Sequence, residues 1–371
     1  MSAKCQQIIS WIESLAPKTL AESWDNVGLQ LGDPACQVEK VMVSLDVDSK
    51  VAAEAIEKKV DLIVTHHPFI FKPMKNLRTD LPQGEIIAEL IKAGVSLYTA
   101  HTNLDCAPDG VNKALAETLK LTQTEILKVT NTNKLYKIVV FVPQGHQEEV
   151  RGALAAGGAG WIGNYSECGF ELKGQGTFRP QDETNPYIGT PGKLERVDEY
   201  RLETIVPENK LKRAIAAMIK AHPYEEVAYD IYPLENRGEE FGLGLIGKTE
   251  KMPLNEFVFE AKKALNSVGV KVVSSGVEVV KKVAVCGGSG SDLVSAAKFK
   301  GADVLVTGDV GYHQAQIAQA LGIAVIDAGH FATENVVVSK LSEYIEQQAK
   351  INSVQLEVFT AEKSEDVWEY M

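Results

Sequence analysis

The sequence contains the same pattern twice, and this repeat limits the fold more than any other feature. Lys40 to Thr65 (KVMVSLDVDSKVAAEAIEKKVDLIVT) aligns with Lys282 to Thr307 (KVAVCGGSGSDLVSAAKFKGADVLVT) at a constant offset of 242 residues. Each copy reads as an apolar strand, a turn, a helix, an Asp and a second apolar strand ending in Thr. A third strand follows in each, Val95 to Ala100 (VSLYTA) and Ile323 to Ala328 (IAVIDA). The offset there is 228, so the first copy carries 14 extra residues around Phe71 to Gln83. Strands alternating with helices favour parallel pairing with helices on the sheet faces. Near-continuous apolar strands are expected where both faces are buried. The expected fold is α/β, a duplicated βαβαβ core with mainly parallel sheets.

The middle of the chain breaks this pattern. The spacing predicts a strand over Leu135 to Val142, a helix over Gln147 to Ala156 and a Gly-rich connection. Strands over Gly169 to Phe178 and Val197 to Val206 follow, then a helix over Asn209 to Lys220 and a strand over Val227 to Tyr232. Arg179 to Gly192, rich in Pro, Gly, Asn and Thr, reads as a loop. The βαββαβ order suggests a ferredoxin-like domain inserted between the repeats. The expected domains are therefore a core of residues 1–128 and 236–371 and an insert of residues 129–235.

In open α/β sheets, ligands bind beyond the carboxyl ends of the strands. In this chain those positions carry His66-His67 after Thr65, His101 and Asp105 after Ala100, Asp309 after Thr307, and His330 and Glu334 after Ala328. The duplication should bring these strand ends together. Each motif also has a plain structural reading. Adjacent histidines in extended backbone point in opposite directions, so they suit two neighbouring ions, or a corner between strand and loop. Asp105 could cap the turn around Pro108-Asp109-Gly110. His330 and Glu334, four apart, share a helix face, and Glu334 could instead offset a helix dipole. Convergence on one sheet edge favours a shared centre, with His66, His67, Asp105, His330 and Glu334 as metal ligands and His101 as the residue that moves a proton or orients a ligand.

Three imidazoles and two carboxylates suit zinc, iron, manganese or cobalt better than magnesium or calcium, which prefer oxygen cages. Five ligands serve two ions only if one carboxylate bridges, and Glu334 has the longer reach. The expectation is two divalent metal ions per chain, zinc first, with iron or manganese as alternatives. Two loops complete the reading. CGGSGSD (Cys286 to Asp292) could hold an anion on its backbone amides or form a capped turn; it matches neither common phosphate-loop fingerprint. ESWDNVGLQLGD (Glu22 to Asp33) either packs one Trp or lines the site.

Composition excludes other classes. The five cysteines form no CxxC pair, which argues against a disulfide framework and a thiolate zinc site. A formal net charge of -12 argues against broad nucleic-acid binding. No apolar run is of membrane-spanning length. The N-terminal residues Ile8, Trp11, Ile12 and Leu15 fall on one helix face ended by Pro17 rather than in a signal segment. A cytoplasmic protein without a membrane partner is expected.

Taken together, WDNVGLQLGD, VTHHPFIF, HTNLD, TGDVGYHQA and AGHFATE resemble the Nif-three-like family, also called the GTP cyclohydrolase I type 2 family. The resemblance covers about residues 1 to 128 and 236 to 371. The insert, including HPYEE (His222 to Glu226), looks like the PII-like or CutA-like domain of longer bacterial members. The resemblance implies a dinuclear metal site on the five ligand residues named above. It also implies a homohexameric ring with metal sites facing an inner cavity. Two functions follow as expectations. One is a metal-dependent hydrolase acting on a nucleotide or phosphoester, GTP ring opening included. The other is a non-enzymatic metal-binding or regulatory ring whose insert senses a small molecule or docks a partner.

Overall fold

A computed structural model describes residues 2–369. The chain divides into two compact units, residues 1–131 with 241–371, and residues 132–240.

In the first unit each repeat contributes three neighbouring parallel strands to a mixed sheet. Strands Lys40–Ser44, Leu62–Thr65 and Ser96–Thr99 lie side by side in parallel, as do Val279–Val285, Val304–Thr307 and Ala324–Asp327. Their side chains alternate between two buried faces. Val41, Val43, Leu62, Val64 and Tyr98 pack with helices Cys5–Leu15 and Val336–Ile351. Met42, Ile63 and Leu97 face the crossover helices Ser49–Glu57 and Pro82–Ala93. The second sheet repeats the scheme. Val283, Val285, Val304, Val306 and Ile326 pack with helix Leu254–Ala264. Ala284, Leu305 and Val325 face the helices Val294–Phe299 and Tyr312–Leu321. Burial on both faces, worth roughly 1.5–3 kcal/mol per large aliphatic side chain, explains why these strands read as apolar runs.

The edges depart from parallel pairing. Gly28–Leu31 runs antiparallel beside the third strand of the first sheet, and Lys271–Val273 does the same in the second. The late strand Glu357–Thr360 joins the first sheet in parallel beside Lys40–Ser44.

The repeat extends to individual hydrogen bonds. Asp61 Oδ2 accepts the backbone N–H groups of Glu39 and Lys40 at 2.8 and 2.9 Å. Asp303 Oδ2 accepts those of Lys281 and Lys282 at the same distances. The N–H of Ala100 reaches Thr65 O, and that of Ala328 reaches Thr307 O, both at 2.9 Å. The two Asp contacts tie the strands together at their amino ends, and the Thr65 and Thr307 carbonyl contacts repeat at the carboxyl ends, from which the following residues project.

The second unit has the element order strand, helix, strand, strand, helix, strand. Strand Glu195–Pro207 lies between Gly169–Phe178 and residues 135–143, antiparallel to both. Helices Gln147–Ala156 and Glu208–Ala221 cover one face through Val150, Leu154, Ala214 and Met218. The first and last strands in chain order, Thr122–Pro143 and Tyr229–Pro253, are longer than the apolar pattern indicates. Residues 122–134 of the first are mostly polar and largely exposed and leave no hydrophobic period, whereas Phe241 and Ile246 of the second are buried in core clusters. No described helix is long and apolar enough to cross a membrane.

Asp61→Ala and Asp303→Ala each remove an acceptor that serves two N–H groups. Each should destabilise the chain by about 1–2 kcal/mol in urea unfolding. A loss in only one of the two repeats would show that the paired contacts are not equivalent.

Candidate metal centre

The strand ends of the two sheets bring His66, His67, His101, Asp105, His330 and Glu334 into one cluster. Three overlapping groups offer ligand atoms within 4.8 Å of one another: His66, His67 and His101; His67, His330 and Glu334; and His66, Asp105 and Glu334. All five sequence-predicted ligands and His101 are present. His313 is not; it is exposed on helix Tyr312–Leu321 beside Gln316.

Each imidazole is held through Nδ1. His66 donates to the Ala100 carbonyl at 3.0 Å, and a carbonyl can only accept, so its Nε2 is the nitrogen that faces the cluster. His67 is held by Asp46 at 2.8 Å, His101 by Asp25 at 2.9 Å and His330 by Asp309 at 2.6 Å. Such outer partners fix ring orientation and raise ligand basicity at metal sites. Asp309 does so from a left-handed backbone (φ 52°), a conformation uncommon outside glycine.

Glu334, 4% exposed, divides its carboxylate between two directions. Oε2 lies 2.8 Å from His67 Nε2 and 2.9 Å from His330 Nε2. Oε1 lies 3.7 Å from His66 Nε2, which is itself 3.6 Å from Asp105 Oδ1. His66 Nε2 and Asp105 Oδ1 are buried and have no hydrogen-bond partner. Buried polar atoms without partners are costly. Their spacing is too long for a hydrogen bond, whereas two ligands each bound at 2.0–2.2 Å to one tetrahedral ion lie about 3.4 Å apart. The donor set therefore fits a divalent cation, and these buried His and Glu groups could hold one.

The proton equilibria express the same pressure towards a cation. Burial opposes charge on His67, but hydrogen bonds to Asp46 and Glu334 outweigh it and raise the imidazole to about 10. The Glu334 hydrogen bond raises His330 to about 9 against burial. Burial lifts Asp105 to about 6 despite His66. Burial would also lift Glu334, yet the charge of His66 and the hydrogen bonds from the surrounding imidazoles hold it well below the usual carboxylate range.

The adjacent histidines behave differently from a flat extended pair. Their rings are 5.0 Å apart and both enter the cluster, facing opposite oxygens of Glu334. The loop after Cys286 is not left open for an anion. The amides of Gly287, Gly288 and Gly290 donate to Asn112, Thr333 and Thr307 side chains. The loop instead cradles Glu334: a Cβ on Gly288 would lie 2.0 Å from Glu334 Oε1, and Gly288 has φ +58°. In the Trp24-Asp25-Asn26 segment, Asp25 anchors His101, and hydrogen bonds from His101 and Thr102 overcome burial to bring its carboxyl down to about 2. Trp24 is exposed and packs edge-on to both Phe71 and His101. Asp46 was not among the residues singled out from the sequence. Its signal was available, because it also follows a core strand at the carboxyl edge.

This α/β core, with a carboxylate–imidazole cluster at its joined strand ends, defines a metal-capable class of protein. The chain belongs to the Duf34/NIF3 (NGG1p interacting factor 3) family, which matches residues 3–366. It is 49% identical to a Bacillus subtilis protein named GTP cyclohydrolase 1 type 2 homolog, with 89% of each chain covered. It is 44% identical to a Halalkalibacterium halodurans protein of the same name, covering 100% of this chain and 99% of the other. Among solved structures, a Bacillus cereus protein related to NIF3 superposes with TM-score 0.93 at 44% identity, covering both chains fully. A Staphylococcus aureus protein superposes at 0.81 with 30% identity, covering 100% of this chain and 99% of that one.

Gly288→Ala pushes a methyl group into Glu334, and Asp309→Ala frees the His330 ring. Each should weaken zinc binding by about 10–100-fold in chelator competition. Unchanged affinity in both would separate these residues from the centre.

Proposed function

We propose that the chain holds two divalent metal ions and hydrolyses a nucleotide or phosphoester. His66, Asp105 and Glu334 Oε1 would hold one ion; His67, His330 and Glu334 Oε2 would hold the other. The observation that carries this reading is the divided Glu334 carboxylate, with each oxygen facing a different set of donors. Imidazole with carboxylate suits zinc, iron or manganese. Bound there, such ions supply Lewis acidity and an ionised water near neutral pH.

The chain's own groups supply positioning and proton transfer. His101 is turned by Asp25 so that its other nitrogen faces the cluster, with its ring centroid 5.2 Å from that of His66 and 5.6 Å from that of His67. A fixed imidazole there can take a proton from the attacking water or give one to a leaving group. Trp24 and Phe71 offer exposed aromatic surface beside His101, on which a planar base could stack. This aromatic surface supports a nucleotide over a simple phosphoester. The name carried by the relatives makes GTP the first substrate to test. A homohexameric ring and a PII-like identity for residues 132–240 belong to the same proposal; light scattering of the intact protein tests the ring.

Metal-replete protein should contain two ions per chain by elemental analysis, and Glu334→Gln should lose one or both with the fold intact. Retention of both ions, with only the roughly 0.3–1 kcal/mol stability change of a helix-dipole residue, would remove Glu334 from the centre. Metal-loaded protein should turn over GTP or a generic phosphodiester, and His67→Ala should abolish this. His101→Ala should keep both ions and lose about 10²–10⁴-fold in turnover. A metal-loaded protein inert to both substrates would favour the non-enzymatic role.

A further inference from the structure

The unit of residues 132–240 contains a cavity of about 380 Å³ that the metal chemistry does not use. Its walls include Phe178, Tyr187 and Tyr224, with ring centroids 5.8 Å apart for Phe178–Tyr224 and 6.2 Å for Tyr187–Tyr224. Glu199 also lines it and is 7% exposed. Its Oε1 accepts the Tyr224 hydroxyl at 3.1 Å, while its Oε2 has no hydrogen-bond partner among the described residues. Gly176 gives that carboxylate its room: a Cβ there would lie 1.9 Å from Glu199 Oε2.

The cavity is held in shape by the two histidines of this unit. His222 donates through Nε2 to the Phe141 carbonyl and accepts the Tyr224 N–H at Nδ1, both within 3.1 Å. This fixes a neutral ring and sets the backbone of Tyr224. His146 Nε2 lies 3.0 Å from the Tyr187 hydroxyl. The HPYEE segment thus delivers Tyr224, Glu225 and Glu226 to one wall. Against the three carboxylates Glu199, Glu225 and Glu226, Arg179 is the one cationic side chain in the lining.

We propose that this cavity binds a small organic cation, an ammonium group carried on an apolar or aromatic body. Aromatic faces attract cations and pack apolar bodies, and the free oxygen of Glu199 accepts a charge-assisted hydrogen bond from an N–H donor. An anionic ligand would meet the net negative lining, and a neutral one would leave the Glu199 charge unmatched. The site is separate from the metal centre, so its occupant need not be a substrate.

The test uses the intact chain and three ligands of one shape: phenethylammonium, 2-phenylethanol and 3-phenylpropanoate. Calorimetry or ligand-observed NMR should show the cation binding about tenfold or more tighter than the alcohol, with the carboxylate weakest. Glu199→Gln keeps an acceptor for Tyr224 and should bring cation and alcohol to similar affinity. Tyr187→Ala should weaken both. Unchanged thermal unfolding of the two variants establishes that the fold is intact. The proposal is overturned if the cation does not bind, if the three ligands bind alike, or if Glu199→Gln leaves the preference for the cation intact.

Discussion

Glu334, itself buried, places one carboxylate oxygen against His66 and the other against His67 and His330. Burying a carboxylate is expensive unless positive charge and hydrogen bonds surround it. The imidazoles provide both, and they come from strand ends of both repeats. The geometry around Glu334 therefore depends on the two sheets presenting their carboxyl edges to one another. The glycines after Cys286, which leave room for the Glu334 carboxylate, matter to the centre although they touch no donor atom of an imidazole.

The outer contacts determine what the inner atoms can do. A carbonyl, Asp46, Asp25 and Asp309 each occupy the Nδ1 of one ring, so every Nε2 is turned towards the cluster. Imidazoles held this way lose little freedom when they bind a cation, and their lone pairs are more basic. The unpartnered His66 Nε2 and Asp105 oxygen are the clearest mark of a cation site, because hydrogen bonding among the described residues leaves both unsatisfied. The same core can serve catalysis or metal storage, since fold and ligand set do not specify turnover.

The second unit follows different rules. Its core is a single layer of helices on one sheet face, and its cavity is lined by strand and loop residues together. Aromatic rings around a buried carboxylate make a binding environment distinct from the imidazole cluster.

Much was legible in one dimension. The repeat, the apolar strands and the rule that ligands lie beyond strand ends led from sequence to His66, His67, His101, Asp105, His330 and Glu334, all of which meet in the structure. The polar residues 122–134 that extend the first long strand were not legible, because backbone pairing leaves no hydrophobic period. Nor was the cradle around Glu334, since GGSG is equally compatible with an anion loop until Asn112, Thr307 and Thr333 occupy its amides. The sequence by itself determined which residue types stand at which strand ends, because side-chain period and duplication are local properties. Only the tertiary structure decided which nitrogen of each ring faces the cluster and which oxygen of Glu334 meets His66, His67 and His330, because those depend on contacts between segments up to 267 residues apart.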